Sequence, residues 1–385
     1  MGEIFYVFKT GPQVNPAGKC RARRHGETRG ERVEGTYSRI HAWDNGASLG
    51  TLDGQRTKDD DVNENGATMS FEVHGLINDA HELPILCCDF NVARRELYSG
   101  SQDTSIRVWD IESLKLIRKQ NGHKGWVTSM VYSPTTKLLY SGSVDGTIIV
   151  WNEKGVILQA LMTNSPIFTL AANDKKELLI SGGKNGISLF KTESAERVMQ
   201  LDREYRIQSQ TKNTGSPEFT IVSPLMNLKS HSDNVRAISC SDTGGIYSAG
   251  YDKRICSYDT DSPKETLTKH DRCHEGAICC IAFDSQTKTI VTGSYDGQVK
   301  IWNQAGRCLD VLASFKDTVT SICYVSPTNE FWIVGNNRKI TVYDPRNISE
   351  ITPHISDVCG FSHFRVQKLH HRYALYFQQP LLPLP

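Results

Sequence analysis

One segment of this chain comes back at a fixed interval, and that repetition constrains its fold more than any other feature. Leu97-Tyr98-Ser99-Gly100-Ser101-Gln102-Asp103 returns as Leu139-Tyr140-Ser141-Gly142-Ser143-Val144-Asp145, 42 residues later. It returns again as Val291-Thr292-Gly293-Ser294-Tyr295-Asp296, and weaker copies run over 180–190, 247–259 and 333–344. A second shared piece stands upstream, as His81-x-x-x-Ile85, His123-x-x-x-Val127, His231-x-x-x-Val235 and His274-x-x-x-Ile278. Within a unit, β-branched and aromatic runs alternate with turn residues, and Asp145-Gly146 and Asp296-Gly297 are hairpin signals. Each unit therefore reads as several antiparallel strands. Such a sheet cannot bury both faces alone, so it must stack on its neighbours.

Gly122-His123, Trp109-Asp110 and their copies resemble the WD-repeat family, clearly over residues 81–344. The resemblance implies an all-β chain forming a single seven-bladed β-propeller of four-stranded antiparallel blades. Six units start near His81, His123, Thr163, His231, His274 and Phe315. The seventh blade is expected from both ends of the chain, with Ile4–Phe8, Ser38–Asp44 and Met69–Ile77 joined by an innermost strand at Cys359–Phe364. The ring is then closed by N- and C-terminal strands. The propeller would occupy residues 1–364, with loops at 10–36, 45–67 and 197–218, and residues 365–385 would form a C-terminal tail.

The resemblance also implies a linked polar set in each regular blade. The sets are Asp103, His81, Ser99 and Trp109; Asp145, His123, Ser141 and Trp151; and Asp296, His274, Thr292 and Trp302. Their chemistry matches that of a Ser-His-Asp hydrolase. A catalytic triad occurs once in an enzyme, however, whereas this set recurs from blade to blade, so its expected work is structural. The third unit has Thr163 and Phe190 at two of the positions, and the sixth has Phe315 and Tyr343.

Other lookalikes carry less. Asp61–Glu72 has the oxygen spacing of a calcium loop, but the Gly-rich stretch before it does not read as a helix. His270, Cys273, His274 and Cys279 suggest zinc, yet His274 belongs to the repeat and Cys279 to a buried strand. No metal and no cofactor is expected. Lys+Arg 44 against Asp+Glu 43 leaves no global field, so nucleic acid is not an expected partner. No apolar run is long enough for membrane insertion, and Lys9 interrupts the short run Ile4–Phe8 before it can read as a leader. An odd total of 11 cysteines suits free thiols in a reducing compartment, cytoplasmic or nuclear.

What remains is binding. In the family, partners often sit where the innermost strands begin and where the turn precedes the Asp. Mapped onto this chain, that protein-binding face contains Trp126, Phe168, Arg236, Tyr251, Tyr295, Gln102 and Asn234. The expected function is a non-catalytic scaffold for other proteins or peptides within a complex, with nothing to indicate a homo-oligomer. Tyr343-Asp344-Pro345-Arg346 resembles the Asp-x-Arg box of substrate receptors in cullin-type ubiquitin ligases, which would make Tyr343, Asp344 and Arg346 a ligase-adaptor contact. A propeller enzyme is the third and disfavoured reading.

Overall fold

In the first unit, alternation becomes four antiparallel strands: Ile85–Asn91, Glu96–Ser101, Ile106–Asp110 and Leu116–Gln120, in that order across the sheet. The computed structural model describes residues 5–10, 39–42, 70–78, 80–201 and 220–377, less breaks at 164, 185, 242, 260–268, 271, 326–329, 336–339, 345–346, 352–363 and 370–371. Six sheets follow the chain in order, four-stranded and antiparallel as expected, except that Thr220–Val222 adds a fifth, parallel strand to the second. They begin at Ile85–Asn91, Val127–Ser133, Ile167–Asn173, Val235–Cys240, Ile278–Asp284 and Val319–Val325. Each of these first strands neighbours the first strand of the next sheet.

A seventh sheet joins the two ends of the chain. Its order is Arg39–Ala42, Ser70–Asn78, Phe5–Thr10, Arg372–Phe377, Phe364–Leu369. The strand Phe5–Thr10 pairs antiparallel with Arg372–Phe377, from Phe5 opposite Phe377 to Lys9 opposite Tyr373. The last two strands fall where a tail was expected from residue 365. The innermost strand expected at Cys359–Phe364 lies outside the described residues, except for Phe364. Residues 195–201, assigned in part to a loop, form a short helical segment that buries Val198 against the second and third sheets. The calcium-like stretch lies outside the described residues up to Met69, and its last residues, Ser70–Glu72, belong to a strand.

The core lies in the seams between sheets. Cys87, Tyr98 and Ile106 of the first sheet pack with Val127, Met130 and Trp151 of the second. Ile180, Ile187 and Leu228 of the third meet Val235, Ile246 and Tyr258 of the fourth. The first strands Ile85–Asn91 and Ile278–Asp284 are buried throughout, whereas the outer strand Leu116–Gln120 is largely exposed. The repeated glycine has a steric reason here. A Cβ on Gly100 would stand 2.6 Å from Val127 Cγ1, and one on Gly293 would stand 2.4 Å from Val319 Cγ1. Only a bare backbone lets the next sheet come this close.

Polar groups tie the first seam together as well. Glu96, buried in the first sheet, accepts from both Nη atoms of Arg118 at 3.1 and 3.0 Å, from Arg94 Nε at 3.1 Å and from the Tyr98 hydroxyl at 3.0 Å. Such a carboxylate is satisfied on both oxygens, which burial requires. Across the seam, Asp89 accepts the Tyr132 N–H at 2.7 Å, and Thr128 Oγ1 reaches on to the Ile167 carbonyl of the third sheet at 2.6 Å.

Candidate interaction rim and the polar sets beneath it

Each polar set stands at one end of its sheet. His81 Nδ1 donates to Asp103 at 2.9 Å, Ser99 Oγ donates to His81 Nε2 at 2.7 Å, and Trp109 Nε1 donates to Ser99 Oγ at 2.9 Å. An indole N–H only donates and a carboxylate only accepts, so the chain of donors has one direction and the histidine tautomer is fixed. His123, Asp145, Ser141 and Trp151 repeat this at 3.2, 2.7 and 2.8 Å, and His274, Asp296, Thr292 and Trp302 at 3.0, 2.8 and 2.8 Å.

A fourth set was missed. His231 meets Asp252 at 2.9 Å and Ser248 at 2.7 Å, with the Tyr258 hydroxyl 3.4 Å from Ser248 Oγ. Its spacings from His are 17 and 21 residues, where the first set has 18 and 22, and Tyr258 stands in place of Trp. Both departures hid it, although His231-x-x-x-Val235 was visible. In the third sheet Thr163 turns instead to the Gly146 carbonyl at 2.8 Å, which ties it to the second sheet.

The aspartates also fasten the backbone. Asp145 accepts the N–H of Lys124 at 2.8 Å and of Thr147 at 2.9 Å, and Asp296 accepts those of Glu275 and Gln298, both at 2.9 Å. Burial opposes ionisation of Asp103, Asp145, Asp252 and Asp296, but the hydrogen bonds they accept outweigh it and hold all four below the usual carboxylate pKa. For His81 and His274, burial outweighs the attraction of the partner aspartate, so their pKa values fall and the rings stay neutral near pH 7. Ser99, Ser141, Ser248 and Thr292 are 0% exposed, so no substrate reaches these hydroxyls.

Above the sets runs a rim with a repeated construction. The turn residue before each Asp donates its N–H to the carbonyl of the residue preceding the first strand. Gln102 bonds Pro84 at 2.9 Å, Val144 bonds Trp126 at 3.1 Å, Tyr251 bonds Asn234 at 3.0 Å and Tyr295 bonds Ala277 at 3.0 Å. The second residue of every first strand is a β-bulge, skipped in the pairing register: Leu86, Thr128, Phe168, Arg236, Cys279 and Thr320. A bulge re-aims a side chain out of the ladder.

Of the expected face, Gln102, Trp126, Phe168, Asn234, Arg236 and Tyr251 are half-buried and Tyr295 is 45% exposed. The structure brings four of them together across the fourth and fifth sheets. The rings of Tyr251 and Tyr295 lie 6.1 Å apart at 48°, Arg236 acts on Tyr295 electrostatically, and Asn234 holds Tyr251 through its carbonyl. Burial pushes the neighbouring Cys279 thiol up to about 12, so it stays protonated. Tyr343 is half-buried on its strand, the Asp344 side chain and Arg346 lie outside the described residues, and so does His270 of the zinc-like group beyond its backbone pairing. Among the described residues no group of three metal-ligating side chains is present.

Residues 73–110, 114–152, 222–259 and 263–303 match the family described as WD domain, G-beta repeat. The chain belongs to the WD-repeat family. The matched spans of this WD-repeat chain contain all four polar sets, and the third and sixth sheets, which lack them, fall largely outside. It is similar to an F-box/WD-40 repeat-containing protein of Arabidopsis thaliana, 25% identical over 70% of this chain and 46% of the relative. It is also similar to a p21-activated protein kinase-interacting protein 1-like of Gallus gallus, 26% identical over 58% of this chain and 53% of the relative. A ribosome biogenesis protein WDR12 homolog of Nematostella vectensis is 32% identical over 35% of this chain and 33% of its own. The WD-repeat chain thus spans about half or less of the length of these relatives.

Proposed function

We propose that this chain is a non-catalytic scaffold that presents one rim of a seven-bladed ring to peptide or protein partners within a multiprotein complex. The observation that carries the reading is the gathering of Asn234, Arg236, Tyr251 and Tyr295 at one end of adjacent sheets. Tyr and Arg bury much area while keeping a polar handle, which is why they dominate interface energetics. The inaccessibility of the four buried hydroxyls argues against the hydrolase alternative. Ring closure is supported by the terminal strand Phe364–Leu369, which neighbours the first strands of both the sixth and the first sheets.

A cytoplasmic or nuclear setting is supported by free thiols at Cys240, Cys279, Cys280 and Cys308 and by relatives named for ribosome biogenesis and ribosome assembly. No helix among the described residues is long and apolar enough to cross a membrane. The test is affinity capture with quantitative mass spectrometry on the wild type and on Arg236→Ala/Tyr251→Ala. The variant should melt like the wild type and lose the captured partners; partners retained at wild-type levels would remove this rim from consideration.

A further inference from the structure

We propose that the rim from the third to the fifth sheet takes an extended acidic peptide, whose Asp or Glu carboxylates are held by Lys184 and Arg236 beside Tyr251 and Tyr295. This rests on the rim reading above and adds the chemistry of the partner. Each of the six sheets has three rim positions: the residue before the first strand, the bulged residue and the turn residue. Across all of them the sequence places two cations, Lys184 and Arg236, and no carboxylate. Both cations fall in adjacent sheets. Lys184 bridges to Asn234 through the backbone, and Asn234 in turn holds Tyr251, so the segment is continuous across the seam.

Among the described residues no ion pair engages Lys184 or Arg236. Lys184 is exposed and Arg236 half-buried. Of the acids nearby, Asp252 and Asp296 are held in their polar sets with side chains 2% and 11% exposed, while the exposed Asp233, which accepts the N–H of Asn234 at 2.7 Å, and the exposed Glu275 make no ion pair with either cation among the described residues. A half-buried guanidinium without a carboxylate is a fork waiting for one, and charge-assisted bonds to it are the strong kind. The two adjoining tyrosine rings supply flat apolar area beside an extended backbone, and their hydroxyls can donate to the same carboxylates. A nucleic acid would need many phosphate contacts to bind in ordinary salt, and two cations do not supply them.

The experiment is fluorescence anisotropy on the full chain. The probes are a labelled twelve-residue peptide alternating Glu and Leu, the same peptide with Gln for Glu, and a twelve-nucleotide oligothymidylate. The Glu peptide should bind about tenfold or more tighter than the Gln peptide, and its affinity should fall as salt rises. Arg236→Gln and Lys184→Glu should each weaken it about tenfold. Lys288→Glu, the same charge change at the opposite end of the fifth sheet, should leave it unchanged. Equal affinity for the Glu and Gln peptides, or tighter binding of the oligothymidylate, overturns the proposal. If both peptides bind alike but lose binding on Tyr251→Ala, the rim stands and only the acidic preference falls. If no rim variant changes peptide binding and protein capture also survives Arg236→Ala/Tyr251→Ala, the rim reading falls with it.

Discussion

Ser141 sits at the centre of a donor chain, accepting from Trp151 at 2.8 Å and donating to His123 at 2.7 Å. Replacing it by alanine leaves two buried groups without partners, each costing about 1–3 kcal/mol. Ser141→Ala should therefore lower stability by about 2–4 kcal/mol in urea denaturation. Tyr258→Phe removes a contact of 3.4 Å and should cost under about 1 kcal/mol in the same assay. Acid acts on the same sets. His81 and His274 have lowered pKa values in the fold, so the unfolded chain takes up their protons first, and their contribution is intact above the ordinary histidine value of 6.5 and erodes as pH falls below it. The four aspartates, also lowered, add a second loss below the usual 3.8. Melting temperature should fall steadily from pH 7 to pH 4; a flat profile would contradict the assignment of neutral buried rings. Three of the sets were legible in the sequence because His, Ser or Thr, Asp and Trp recur at one spacing. The fourth was obscured by a one-residue deletion and a tyrosine, which a search for fixed spacing discards.

Between second and third strands, the first, second, fourth and fifth sheets turn through a residue with positive φ. Gly146 and Gly297 hold it at 81° and 79°, while Thr104 and Lys253 hold it at 67° and 64°. A β-branched side chain in that region is strained by about 1–2 kcal/mol. Thr104→Gly should therefore gain a few tenths to about 1 kcal/mol after the entropy that glycine loses. Gly297→Ala should lose about 2 kcal/mol or more, since its Cβ would also stand 2.3 Å from the Phe315 carbonyl oxygen. Thermal unfolding of both variants checks the sign of each effect. The strands and these turns were readable from alternation and Asp-Gly signals. The bulges at Phe168 and Arg236 were not, because a bulge is a mismatch between two strands and leaves no residue type of its own.

At the scale of the molecule, the seams between sheets were implied by units that cannot bury both faces alone, and the buried clusters shared by consecutive sheets follow from that. The C-terminal boundary was misjudged. Arg372-Tyr373-Ala374-Leu375-Tyr376-Phe377 lacks the repeat's markers, yet it pairs with Phe5–Thr10, a partner from the other end of the sequence. If the terminal sheet fastens the ring, removal of residues 1–79 should lower the melting temperature and broaden a single transition; an unchanged profile would exclude that role. The rim reading turns on which end of this structure meets a partner. Lysine cross-linking of the full chain in its captured complexes, read by mass spectrometry, addresses it directly. Cross-links to partners should concentrate at Lys184, Lys229 and Lys253 on the rim and be sparse at Lys137, Lys176 and Lys288 at the opposite end. The reverse distribution would contradict the account.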